Sequence, residues 1–285
     1  MNRPVVVGVD GSPSSLVAAE HAAWAAALRS LPLHLVHGYL HPLGSGVPLN
    51  PYDLGLPEPS DEGQQMLERT AAELTGRWPG VTVEFRQVAG GPGASLVEES
   101  GRAELVVVGS RGHGGFAGLL LGSVGAQVSA HARCPVLVVR PAEAPAPVEG
   151  AVLVGVDGSE LAELAVRQAA DEAARRQAEL VLVHIRTDRG HAGPDEVPAA
   201  ADQALVAAAA DVQSSHPGLA VTQRVLDTAD AAATLIEASG EAALVVVGSR
   251  GRGGFAGLLL GSVSQALVQH AHCPVLIAHP HGHAR

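Results

Sequence analysis

Two segments of this chain combine residue types and spacing that can do chemistry, and each occurs twice. Asp10, with Gly11 and Ser12 behind it, closes the apolar run that begins at Val5, and Asp157 stands in the same string, VGVDGS, at Val154 to Ser159. A carboxylate there can accept hydrogen bonds from a ribose or help to hold a metal. Asp-Gly-Ser is equally a turn in which the aspartate bonds its own backbone. Gly8 and Gly155, two residues earlier, either let a ring come close or pack against a helix. The second segment, Gly109 to Ser123, reads GSRGHGGFAGLLLGS, and Gly248 to Ser262 repeats fourteen of its fifteen residues. Gly109 and Gly112, like Gly248 and Gly251, leave backbone N–H groups able to face an anion with no β-carbon in the way. Gly122-Ser123 and Gly261-Ser262 then open a helix, whose free N–H groups and positive dipole end suit a phosphate. The serine hydroxyl either caps that helix or bonds a terminal phosphate. Arg111, His113 and Gly114 in the first copy, and Arg250, Arg252 and Gly253 in the second, add cationic, hydrogen-bonding or bare-backbone contacts. The plain alternative is a mobile glycine loop followed by an ordinary N-cap serine.

Composition limits what such a cradle can be. The chain has 285 residues, a net charge of -11, and 18 basic side chains that are all arginine. Without lysine there is no G-x-x-x-x-G-K-[ST] nucleotidase and no Schiff-base enzyme. The negative charge argues against a phosphate backbone as partner. With two Trp, two Tyr and three Phe, the chain also lacks stacking platforms for single strands. No apolar run reaches the roughly 18 residues of a membrane span and no signal peptide is legible, so a soluble cytoplasmic protein is expected.

Other motifs fail on inspection. Gly112-x-Gly114-x-x-Ala117 lacks the helix start and the later acidic residue of a dinucleotide fingerprint. No G-x-S-x-G elbow surrounds Ser110 or Ser123. Cys134 and Cys273 each precede a proline and read as buried structural thiols. His37 and His184 read as satisfied core or rim histidines. The alternate histidines at 279, 281 and 283 read as a solvated tail rather than a metal site.

The elements that must position these segments follow from the repeat. The offset between copies is 147 residues at Asp10 and Asp157 but 139 at Gly109 and Gly248, so the second copy carries a loop shorter by eight. Apolar runs near 4–9, 33–37, 81–85, 104–108 and 135–139 predict buried parallel strands. Amphipathic stretches at 14–29, 61–77, 93–101 and 122–132 predict helices. In the second copy, strands are expected near 151–156, 180–185, 220–225, 243–247 and 274–278. Five strands alternating with four helices predict an α/β domain with a doubly wound parallel sheet, in the order 3-2-1-4-5. Its strand order reverses between the first and fourth strands, where the two polar turns converge and where ligands bind such sheets. His41 to Ser60 reads as a long loop peculiar to the first copy.

With the fourth-strand position added, Gly109, Gly112, Gly122 and Ser123 match G-x2-G-x9-G-[ST], as do Gly248, Gly251, Gly261 and Ser262. The whole chain thereby resembles a tandem member of the universal stress protein family, with domains at 1–140 and 151–285 and a linker at 141–150. The resemblance implies two flavodoxin- or Rossmann-like domains, each binding ATP without a Walker lysine, commonly with Mg or Mn. It implies Asp10 and Asp157 on the ribose or adenine side, and Gly38 and Ile185 against adenine through their backbone. It implies the glycine loop and serine around the phosphates. A nucleotide-dependent stress-response regulator acting on an unidentified protein partner is then expected, with no catalytic residue. The alternatives are a slow ATP hydrolase or nucleotidyl-transfer enzyme, and a nucleotide-free scaffold. The family also implies an intramolecular pseudo-dimer through the last strands, 136–139 and 275–278, with homodimerisation left open. Two departures stand out. Val88-Ala89-Gly90-Gly91-Pro92 matches the family's V-x-G-x-P turn, whereas the second half has Asp227-Thr228-Ala229-Asp230-Ala231. His113 is replaced by Arg252.

Overall fold

Valine and leucine runs become central strands when both faces of a sheet are covered, because a β-branched side chain packs well on either face of the pleat. The computed structural model describes residues 3–39, 60–112, 121–140, 150–186, 200–251 and 260–282. The first half runs β1 (Val5–Gly8), α1 (Pro13–Arg29), β2 (Leu33–Tyr39), α2 (Asp61–Arg77), β3 (Val83–Ala89), α3 (Pro92–Ser100), β4 (Leu105–Gly109), α4 (Ser123–His131) and β5 (Val136–Val139). The second runs β6 (Ala151–Gly155), α5 (Glu160–Arg176), β7 (Leu180–Arg186), α6 (Ala200–Ser215), β8 (Val221–Asp227), α7 (Ala231–Ala238), β9 (Ala242–Gly248), α8 (Ser262–His270) and β10 (Val275–Ala278). The chain divides into two compact units, Met1–Ala146 with His281–Arg285, and Pro147–Pro280.

Within the first unit the strands pair in parallel in the order β3-β2-β1-β4-β5. Within the second the order is β8-β7-β6-β9-β10, also parallel. This is the expected doubly wound arrangement, α/β with helices on both faces. In the first unit α1 packs on β1 and β4 and touches α2, while α3 packs on β2 and β1 and touches α4. The inner strands supply fully buried Val5, Val6, Val7, Leu33 and Leu35, and in the second half Val152, Val154, Leu180 and Leu182. Each contributes about 1.5–3 kcal/mol of hydrophobic stabilisation. Against them α1 turns a face of alanines, from Ala18 to Ala26, small enough to bring the helix axis close to the sheet.

Three expectations shift. The third strands begin later and run further than their apolar runs, at 83–89 rather than 81–85 and at 221–227 rather than 220–225. Val81 belongs to a turn, donating its N–H to the Trp78 carbonyl at 2.9 Å. Arg86 and Gln87 continue the strand because it lies at an edge, where polar side chains are tolerated. The shorter loop of the second half is also two changes, not one. From the end of β2 to the start of β3 the second half is nine residues shorter, and from β3 to α3 it is one residue longer. Finally, His279 is buried and its carbonyl accepts from Gln168 Nε2 at 3.2 Å, so it extends the end of β10 and is not a solvated tail. His283 and all of the 41–60 loop except Ser60 lie outside the described residues. Among the described residues no helix is long and apolar enough to cross a membrane.

Candidate functional site

At the end of β1 the chain must turn sharply into α1. Gly11 makes that turn at φ 80, and Gly158 makes its counterpart at φ 74, a region that L side chains rarely adopt. The turn leaves the aspartate and serine facing each other. Asp10 Oδ1 accepts from the Ser12 N–H at 3.0 Å and from the Ser12 hydroxyl at 2.6 Å, and Ser12 Oγ in turn caps α1 by accepting from the Ser15 N–H at 3.2 Å. In the second half Asp157 Oδ1 accepts from the Ser159 N–H and hydroxyl at 2.9 and 2.7 Å, and Ser159 caps α5. The aspartate is therefore a self-bonding turn residue, and its other oxygen is turned toward the glycine loop. The histidines at the ends of β2 and β7 hold this turn from behind. Nδ1 of His37 bonds the Val9 carbonyl at 2.8 Å and Nδ1 of His184 bonds the Val156 carbonyl at 2.6 Å, which places the proton on Nδ1. Sequence reasoning saw satisfied histidines and missed that they position the residue just before each aspartate.

The second turn meets the first as the strand order requires. A β-carbon on Gly112 would stand 2.4 Å from Asp10 Oδ2, and one on Gly251 would stand 2.3 Å from Asp157 Oδ2. A β-carbon on Gly109 would stand 2.8 Å from the Ser14 carbonyl oxygen, and one on Gly248 would stand 2.9 Å from that of Leu161. So the first glycine of each motif lets the opening turn of α1 or α5 pack on the strand end, and the second makes room for the aspartate. Bare backbone is required in both places before any anion is considered. The Arg111 N–H donates to Ser14 Oγ at 3.3 Å, tying the start of the loop to α1.

The loop closes on itself at its neck, where the Gly122 N–H donates to the Ser110 carbonyl at 2.7 Å and the Gly261 N–H to the Ser249 carbonyl at 2.8 Å. Gly122 and Gly261 are the N-caps of α4 and α8, and neither helix has a side-chain cap. Ser123 and Ser262 are thus the first helical residues, not caps as the plain alternative had it. The contrast with the other helices is informative. Ser12, Ser60, Ser159 and Asp230 cap α1, α2, α5 and α7 with their side chains, and α3 starts with Pro92. Only at the glycine loops, among the α-helices whose N-caps are described, does a helix start present uncapped N–H groups with no proline. That is the arrangement that receives an anion.

A cavity of about 430 Å³ occupies this position in the second half. Its polar end is formed by Asp157, Arg250, Gly251, Gly261 and Ser262, and its other wall by Val183, Ile185, Ala231, Leu235 and Val247. Gly155 lies on its floor. In the first half the polar residues at matching positions are brought together in the same way, but a leucine packs more closely on the glycine of the first strand. A β-carbon on Gly8 would meet Leu96 Cδ1 at 2.6 Å, whereas one on Gly155 would meet Leu235 Cδ1 only at 3.6 Å. A β-carbon on Gly38 would stand 2.6 Å from Pro92 Cα, so α3 begins directly against β2. Ile185, by contrast, carries a side chain into the cavity wall.

One further cation was not singled out from the sequence. Arg140 follows β5 and is held below the usual arginine range, first by burial and then by the nearby charge of Arg111. Arg111 and Arg140 thus follow the neighbouring strands β4 and β5 at the same end of the first sheet. The position directly after the last strand was the available signal. His279 stands there in the second half. His113, Gly114, Arg252 and Gly253 lie outside the described residues. Among the described residues no three His, Cys, Asp or Glu side chains gather to hold a metal ion.

The Usp family model, described as the universal stress protein family, matches residues 1–140 and 150–279. A universal stress protein of Mycobacterium tuberculosis (strain H37Rv) is 40% identical over 288 residues, covering 96% of this chain and 95% of the relative. One from Mycolicibacterium smegmatis is 35% identical over 286 residues, with 97% of each chain covered. The fold is shared with the crystal structure of a universal stress protein from Archaeoglobus fulgidus, at a TM-score of 0.67 and 18% identity, covering 99% of this chain and 100% of that one.

Proposed function

The chain belongs to the universal stress protein family, and from that premise we propose that each half binds ATP and that occupancy regulates a protein partner in a stress response. The observation that carries this reading is the pair of uncapped helix starts, α4 and α8, each set beside an aspartate at the strand-order reversal. The phosphates would meet the first-turn N–H groups and hydroxyl of Ser123 or Ser262, with Arg111 or Arg250 alongside. The second oxygen of Asp10 or Asp157 would take the ribose. The base would lie against aliphatic side chains and backbone, as suits a chain with so few rings. Glycine amides and a helix dipole thus replace the absent lysine. Mg or Mn, when present, would neutralise phosphate charge and be held mainly by the nucleotide.

Asp10 and Asp157 are already engaged by Ser12 and Ser159, so the site is read as one for binding rather than turnover. The proposed setting is the cytoplasm, where ATP is at hand. Mass spectrometry of freshly purified protein after denaturation tests the reading. An adenine nucleotide released in stoichiometric amount is expected. Protein that carries none, and that gives no heat when titrated with ATP, would overturn it.

A further inference from the structure

The two sites share their polar ends but not their base ends. In the second half, three residues, Thr228 to Asp230, link β8 to α7; in the first, Gly90 and Gly91 alone link β3 to α3. The strand registers fix where the extra residue falls, since Tyr39 pairs with Ala89 and Arg186 with Asp227. The longer link is stabilised as a helix entry of its own. Asp230 caps α7 by accepting from the Ala233 N–H at 3.0 Å, and its own N–H donates to Thr228 Oγ1 at 3.3 Å. With that extra residue α7 makes little contact with β7, whereas α3 packs on β2, and Ile185, Ala231 and Leu235 line the cavity. With the shorter link Pro92 sits on Gly38 and Leu96 covers Gly8.

We propose that the second half is the base-reading site, and that the first half admits a purine only by moving the start of α3 off Gly8 and Gly38. This rests on the nucleotide reading given above and adds a rank order to it. A ligand with little phosphate, which depends most on the base for its affinity, will feel the difference most. An adenosine monophosphate should therefore favour the second half at least tenfold, the ratio that about 1.4 kcal/mol of displaced packing produces.

Photolabelling of the full chain with 8-azido-AMP, followed by peptide mass spectrometry, reads this directly. Label should appear at low concentration on peptides of the second half and only at tenfold higher concentration on those of the first. Inserting an alanine between Gly90 and Gly91 should bring the ratio below threefold; Leu96→Ala should move it the same way if the insertion variant does not fold. Equal labelling in the native chain, a preference for the first half, or an unchanged ratio in a folded variant would overturn the proposal. So would labelling by 8-azido-ATP with none by 8-azido-AMP, because the base wall would then contribute nothing. No labelling by either probe would instead remove the nucleotide reading itself.

Discussion

Fourteen of fifteen residues agree between the glycine segments of the two halves, yet the two candidate sites differ at a place where neither segment lies. The polar ends are near copies, each with an aspartate tied to a serine, a glycine pressed on that aspartate, and an uncapped helix start. The apolar ends diverge because a single extra residue in a connection resets the start of a helix. Duplicated halves can thus hold one part of a pocket constant while a loop of different length reshapes another.

The comparison can be broken most forcefully at α5. Arg176 there is buried, its pKa lowered to about 10 by burial, and it pairs with buried Glu172 at 3.2 Å. The matching Arg29 instead donates to the Ala25 carbonyl at 3.0 Å. Glu172→Ala removes the carboxylate from this nearly buried guanidinium and should cost about 3–5 kcal/mol in denaturant titration. A loss under 1 kcal/mol would show that the guanidinium finds another partner.

Leucine truncation should separate the two apolar ends. Leu96→Ala and Leu235→Ala each remove a buried side chain and should cost about 2–5 kcal/mol of stability. Their effects on nucleotide should have opposite sign. The first uncovers Gly8 and should tighten binding in the first half; the second removes cavity wall and should weaken binding in the second. Two losses would mean that Leu96 also touches the ligand.

The shared features should respond equally. Ser12→Ala and Ser159→Ala each delete a helix cap and should cost about 1 kcal/mol. A difference between them beyond about 0.5 kcal/mol would deny the equivalence of the polar ends.

Smallest of all is the thiol pair. Burial pushes both Cys134 and Cys273 up to about 12. At neutral pH both states keep their thiols protonated, and the unfolded chain begins to ionise as pH approaches 9, the ordinary cysteine value. Above it the unfolded chain loses protons that the native chain keeps, so stability falls from pH 9 toward 12. At pH 8 a disulfide reagent should leave both thiols untouched until denaturant is added, and fast labelling of either native thiol would contradict the burial.

Much of this was legible from residue pattern. The helix at 61–77 is bounded by Ser60, which accepts from the Gly63 N–H, and by a run of polar residues with an apolar stripe. The convergence of Asp10 with Gly112 follows from strand order alone. What stayed hidden had physical causes. A net offset of eight concealed a deletion of nine and an insertion of one, because only a strand register can tell them apart. Leu96 and Leu235 look alike as apolar helix positions, and only the structure shows that Leu96 presses directly on Gly8 while Leu235 leaves room for about one methyl group above Gly155. Whether Ser123 and Ser262 cap their helices stayed open because serine favours that position, yet glycine takes it here and leaves the first-turn N–H groups without a side-chain cap.

Those uncapped groups are what a single calorimetric experiment can test. Ser123→Asp and Ser262→Asp each place a carboxylate at the first helical position. There it should stabilise the helix by about 0.3–1 kcal/mol while repelling a phosphate. If the phosphates sit at α4 and α8, ATP titration of each single variant should lose one of two sites, and the double variant should release no binding heat while its melting temperature holds or rises. ATP binding by the folded double variant with the affinity of the unaltered chain would contradict it.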